Sequence, residues 1–257
     1  MQISNSTINF TSRNIDVRRA DDIVRHVNKI APCFNPTYAF ENWEVLNPSK
    51  GKGFIRRTKF FAKFEKLISQ MRQEYGAESA KKPTFYFDLF DSVKNRKIGN
   101  CYEKAYLALG ALFANGYKNA MKVGLEMEVG AYDKITGKKV LAKTIPIDHT
   151  AVLSTMNNAN RYDIDKTIVL DGWFNKAMTV SEAKKEYEKF VPKRRIAAEI
   201  QEMQRELKWK SLGDLNKFEF RKSIEFLEDK RFSPEEASAF GQEISRKYPE
   251  IKLDFII

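Results

Sequence analysis

An α+β fold is predicted for this chain from three observations. A cysteine opens an apolar helix at Gly99-Asn100-Cys101, an alternating run at Val123, Leu125, Met127 and Val129 reads as a half-buried strand, and the last third is charged and helix-patterned. The expected core is the Cys101 helix packed on an antiparallel sheet that carries His149 and Asp171, with further helices at both ends of the chain. At 257 residues, 42% hydrophobic and 12% aromatic, the chain has enough apolar surface to bury such a core.

Residues 1–19 are polar and rich in Ser, Asn and Thr, and are expected to be a poorly ordered leader. A catalytic-type domain is expected over 20–180 and a charged helical region over 181–257, packed on the core or forming a separate subdomain. Ile23, Val27 and Ile30 predict a short helix over 21–30 that stops before Pro32. Pro36, Pro48 and Gly51 to Gly53 punctuate a loop-rich passage holding Trp43. Phe60, Phe61, Phe64, Leu67, Ile68 and Met71 then define an amphipathic helix. The aromatic run Phe85 to Phe90 fits either a buried strand or the start of a helix.

The helix begun by Cys101 is expected to end at Asn115-Gly116 and to pack closely through Ala105, Ala108, Gly110, Ala111 and Ala114. Thr136-Gly137-Lys138 follows the alternating strand as its hairpin turn. A second strand is expected from 139 to 145, broken at Pro146 and resumed at His149 to Leu153. After an Asn-rich loop, Thr167 to Asp171 reads as another strand. Ser233-Pro234-Glu235-Glu236 is the capping signature of a late helix.

The charge of +11 is uneven: residues 50–72 hold eight Lys or Arg against the single acid Glu65. Arg56, Arg57, Lys59 and Lys63 are the candidate basic surface, which implies an acidic partner. No run of eighteen apolar residues occurs, and the first residues lack the basic-then-apolar pattern of a secretory signal, so neither a membrane span nor signal-peptide export is expected. Two cysteines (Cys33, Cys101) and two histidines (His26, His149) never approach ligand spacing, so no metal and no other cofactor is expected. So few cysteines in a chain with its own core are expected to stay reduced.

The start of a helix favours a thiolate, because unpaired backbone amides and the helix dipole stabilise an anion there. Cys101 is therefore the candidate nucleophile. A cysteine nucleophile needs a base in reach and a third group to orient that base. His149 begins one strand and Asp171 ends the next. A hairpin pairing Leu153 with Thr167 and Ala151 with Val169 would set His149 directly opposite Asp171, with Cβ atoms about 4.5–5.5 Å apart. A slip of one residue would put them on opposite faces.

Three quoted stretches, Gly99-Asn100-Cys101-Tyr102-Glu103-Lys104-Ala105, Asp148-His149-Thr150-Ala151-Val152 and Ile168-Val169-Leu170-Asp171-Gly172-Trp173, resemble the papain-like and transglutaminase-like cysteine enzymes. In that superfamily a Cys opening a helix precedes strands bearing His and then Asp. Many relatives have proline between the Asp and the Trp, where this chain has Gly172. The resemblance covers about Ile98 to Asn175 and implies a papain/transglutaminase-like core. It also implies that Cys101 attacks a carbonyl or carboxamide, that His149 exchanges the proton, and that Asp171 holds the imidazole. The oxyanion would be met by the Cys101 amide and by a second donor, for which Asn100 and Trp43 are candidates, while Trp173 would shield the His/Asp pair.

The resemblance leaves protease, deamidase and transglutaminase open, and it suggests a bacterial effector that stays in the bacterial cytoplasm or is translocated into a host cell. The expected partner is a protein with an acidic surface, with contact to an anionic membrane as an accessory. Two other readings stand beside this one. The first is a non-enzymatic binding protein that uses residues 50–72 on nucleic acid or anionic lipid. No nucleic-acid motif accompanies that patch, so nucleic acid is not an expected partner. The second is acyl transfer from a small thioester, for which no coenzyme A site is recognisable.

Overall fold

The computed structural model describes residues 6–33, 54–75, 83–156, 166–210, 212 and 214–254. Among them the chain forms seven α-helices and one five-stranded antiparallel sheet, an α+β protein. The elements are α1 (Ser6–Ile30), α2 (Phe54–Tyr75), α3 (Pro83–Arg96), α4 (Cys101–Ala114), β1 (Ala120–Asp133), β2 (Lys139–Ser154), β3 (Ile168–Asp171), β4 (Lys176–Thr179), α5 (Val180–Tyr187), α6 (Lys193–Trp209), β5 (Phe218–Arg231) and α7 (Pro234–Lys247). The sheet order is β4-β3-β2-β1-β5.

The sheet has a core on each face. On one side Ala120, Val152 and Leu170 meet α1, α3, α4 and α7 through Ile23, Val27, Leu89, Leu107, Leu112 and Phe240. On the other side Val123, Met127, Leu153 and Val169 meet α5 and α6 through Tyr187, Met203 and Leu207. The alternation expected in β1 is present: Val123, Leu125, Met127 and Val129 are buried, while Gly124, Glu126 and Glu128 are only partly covered. α4 is buried along nearly its whole length, and its small residues permit this. A Cβ at Gly110 would lie 2.0 Å from the Tyr86 ring of α3, so no larger residue fits at that crossing.

Several expectations need correction. Helix α1 starts at Ser6, not Asp21, because Val17 and Ala20 extend the apolar stripe of Ile23, Val24 and Val27 backward into the stretch expected to be a leader. The aromatic run is helix α3, with Phe85, Tyr86, Leu89, Phe90 and Val93 buried at helical spacing. The C-terminal third is not all helix. Phe218, Phe220, Ile224 and Phe226 alternate with Glu219, Arg221, Ser223 and Glu225, and the segment pairs with β1 as a fourteen-residue edge strand. It therefore shares the sheet, and α7 shares the core of α4. Strand β4 was not foreseen. Pro146 does not interrupt β2. It pairs with Glu126, on a stretch whose outer edge lies beyond the end of β3, where the missing amide costs no ladder bond.

The register of β2 on β3 also differs. Leu153 faces Val169 and Val152 faces Leu170, a slip of two residues from the expected pairing. Side chains repeat every two residues along a strand, so this slip keeps His149 and Asp171 on one face as diagonal neighbours. The β2 pairing with β1 also jumps from Gly124–Thr150 to Leu125–Ile147, leaving Asp148 and His149 as a two-residue bulge. His149 thus stands outside the regular ladder, and the bulge re-aims its side chain.

Candidate active site

The site is built from the first turn of α4. Asn100 is its N-cap: the Asn100 Oδ1 accepts the Tyr102 N–H at 3.0 Å, and Glu103 reaches back to accept the Asn100 N–H at 3.0 Å. Arg72 of α2 locks this box, donating to Glu103 at 2.8 Å and to the Asn100 Oδ1 at 3.0 Å, while its guanidinium lies 4.8 Å above the Tyr102 ring. Glu103 thus acts as a support for the helix start. Arg72 is accordingly part of the scaffold and not of a solvated basic face. Cys101 occupies the first helical position, where the backbone N–H has no carbonyl of its own helix to bond.

The turn after β3 rests directly on this helix start. A Cβ at Gly172 would lie 2.8 Å from the Lys104 Cβ, so glycine is required for the approach. The Gly172 carbonyl accepts from the Lys104 ammonium at 3.2 Å and from Asn28 of α1 at 3.0 Å. The departure from proline at this position therefore has a local cause. The same contact carries Asp171 to the mouth of α4.

His149 and Asp171 meet inside the protein. The His149 Nε2 lies 2.7 Å from the Asp171 Oδ2, and the two side chains are 1% and 0% exposed. Three further donors converge on Asp171: the Tyr187 hydroxyl at 2.7 Å, the Trp173 N–H at 2.8 Å and the Phe174 N–H at 3.2 Å. The imidazole is boxed by rings, with centroids at 5.2 Å for Trp173, 5.3 Å for Tyr187, 5.3 Å for Phe190 and 6.2 Å for Phe174.

Burial alone would discharge the ring. The Asp171 carboxylate, acting through its charge and its hydrogen bond, and then the neighbouring Cys101 thiol, outweigh that cost and raise the His149 pKa from 6.5 to about 9. Burial likewise opposes the Asp171 charge, and His149, Tyr187 and the Phe174 amide reverse it, so the carboxyl titrates below its usual range. The second ring nitrogen, Nδ1, is buried without a hydrogen-bond partner. With Nε2 held by Asp171, Nδ1 is the nitrogen left to serve the thiol.

Cys101, His149, Asp171 and Trp173 are therefore brought together, and Asn100 sits beside them as the helix cap. Trp43 lies outside the described residues, as do the side chains of Arg56 and Arg57; Lys59 and Lys63 are exposed on α2. Tyr187, Phe174 and Phe190 were not anticipated. Tyr187 ends a separate helix, and only the demand that a buried phenol find a partner could have marked it. Among the described residues no helix is long and apolar enough to cross a membrane, and no group of three or more His, Cys, Asp or Glu is placed to hold a metal ion. No family model matches the chain, and no curated protein or solved structure does.

Proposed function

We propose that this protein is a cysteine-dependent enzyme that acts on amide carbonyls through an acyl-enzyme on Cys101, with His149 as acid and base and Asp171 as its orienter, in a papain/transglutaminase-like arrangement. The observation that carries this is the buried imidazole: one nitrogen is fixed by a carboxylate with a full set of donors, and the other is unpartnered beside a thiol at a helix start. A purely structural histidine has no need of an orphaned nitrogen.

In the reaction, the sulfur of the thiolate–imidazolium pair attacks the substrate carbonyl carbon. A C–S bond forms and the oxygen becomes an oxyanion facing the Cys101 N–H. The imidazolium gives its proton to the leaving nitrogen, the C–N bond breaks, and an amine leaves, or ammonia when the substrate is a glutamine carboxamide. Water then attacks the thioester and passes a proton to His149. The C–S bond breaks, releasing the acid and restoring the ion pair. An attacking amine in place of water gives a cross-link by the same steps. Trp173 and the neighbouring rings keep bulk water from the His149–Asp171 pair.

The test is alkylation by iodoacetamide at mildly acidic pH. Cys101 is expected to be modified well before Cys33, and His149→Ala is expected to remove the advantage. Equal rates at the two cysteines would overturn the reading. Intact-mass analysis of candidate substrate proteins then separates cleavage, one-dalton deamidation and cross-linking.

A further inference from the structure

The bulge at Asp148–His149 opens on a cleft of about 640 Å³ walled by Ile147, Trp173, Phe190 and Val191, with Lys189 and Arg195 at its rim. His149 forms part of its inner wall, and its orphaned Nδ1 is the one buried side-chain nitrogen or oxygen without a partner among the described residues. The cations on the rim come from the loop that follows α5 and from the first turn of α6.

That turn is built against ordinary helix logic. Acids or a capping side chain usually stand where a helix presents its positive end. Here the N-cap is Pro192, no side chain caps the turn, no acid occurs in it, and its first three residues are Lys193, Arg194 and Arg195. Within the same molecule α4, α5 and α7 start with a complete capping box and an acid in the first turn; α1, α2 and α3 share with α6 the lack of an acid, but none of them opens on three successive cations. Three cations on a positive helix end repel one another and the dipole. Such an arrangement is stabilised by an anion placed against it.

The charges already present do not supply that anion. Lys189 is paired with Glu186 at 2.8 Å, whereas Arg195 is exposed and has no ion pair among the described residues. The one carboxylate lining the cleft, Asp148, forms no ion pair with Arg195. The apolar walls exclude a purely ionic ligand as the best fit, since Ile147, Phe190, Val191 and the Trp173 ring ask for hydrocarbon.

We infer that this cleft, which shares His149 and Trp173 with the candidate active site, is a substrate subsite and that it selects a peptide carrying an aspartate or glutamate next to an apolar residue, with Arg195 reading the carboxylate. The inference rests on the acyl-enzyme reading for the place of the subsite. Its charge selectivity stands on the cleft itself.

Two measurements test it. The first uses the Cys101→Ala protein, which cannot turn over, and calorimetric binding of short capped peptides that differ only in one residue: Asp or Glu, the matching Asn or Gln, or Lys. The acidic peptides are expected to bind about three- to tenfold more tightly than their amide isosteres at low salt. Adding Arg195→Glu is expected to remove or reverse that order. Arg205→Glu, the same charge change on the part of α6 away from the cleft, is expected to leave it intact. An order that is absent, or that survives Arg195→Glu, overturns the inference, and so does an equal loss in Arg205→Glu.

The second measurement uses the protein with Cys101 in place and compares iodoacetate, an anion, with neutral iodoacetamide. The ratio of their rates at Cys101 is expected to fall severalfold in Arg195→Glu. A ratio unchanged by that substitution counts against Arg195 even when the cysteine is fully reactive. If Cys101 reacts with neither reagent, the acyl-enzyme reading fails, and the peptide series still decides whether the cleft prefers acids.

Discussion

The two cysteines flank the same helix start and differ in almost every respect that matters for chemistry. Cys33 follows α1, with its sulfur 3.3 Å from where a Cβ on Gly99 would stand. Burial pushes its thiol up to about 11; the Lys104 charge draws it down and the Glu103 charge raises it further, and burial prevails. Cys33 is partly buried and Cys101 more fully so, at 7% exposed, yet Cys101 opens the helix and has an orphaned imidazole nitrogen and a charged ring beside it. Both are largely withdrawn from water, so burial by itself does not set the two thiols apart. What separates them is the identity of the neighbours and whether a proton has somewhere to go.

The strongest way to break this comparison is to remove the partner. His149→Ala is expected to lower Cys101 alkylation and turnover by roughly 10²–10⁴-fold while leaving Cys33 as slow as before, measured by peptide mapping of labelled protein. Asp171→Asn is expected to lie in the same range, because the ring loses its fixed orientation. An effect under tenfold in both would return Cys101 to the class of Cys33.

Next comes pH. The folded pKa of His149, about 9, lies above its unfolded value of 6.5, so the stabilisation from its charge is complete below 6.5 and is lost as pH rises through 9. Asp171 has the opposite sign: its contribution is present above the ordinary carboxylate range and is lost as pH falls through its depressed pKa. Denaturant midpoints are expected to fall across 6.5 to 9 in the native protein and to stay flat there in His149→Gln. Turnover is expected to decline later, as pH rises through about 9, where the folded protein loses its general acid.

Smaller effects sharpen the picture. Tyr187→Phe removes one of the four donors on a buried carboxylate and is expected to cost about 1.5–3 kcal/mol in unfolding free energy, with a modest loss of rate. Cys33→Ala is expected to change alkylation at Cys101 by less than twofold, which is the control for the comparison as a whole.

The place of Cys101 at a capped helix start was legible in the sequence because its signal is local. Asn100, Cys101 and Glu103 lie within four residues, and both the capping box and the apolar helix are written there. The strand alternation in β1 was legible for the same reason. His149 and Asp171 were legible as a pair only because the error in register happened to be even. The diagonal contact, the bulge and the β4 strand depend on how whole strands pair with one another, and no short window of sequence carries that. β5 was obscured by its composition: five of its alternate residues are charged, which suits an edge strand as well as a solvated helix. Tyr187 was invisible because its role exists only across the fold.

The bulge at Asp148–His149 has a consequence for how this chain can change. Removing both residues would shorten β2 by a whole pleat and leave the direction of every following side chain intact, at the cost of the histidine. Deleting Asp148 alone would exchange the inward and outward sides of the strand on one side of the break. Length variation here is therefore confined to even steps, so natural or engineered variants that keep their histidine should differ at this point by pairs of residues.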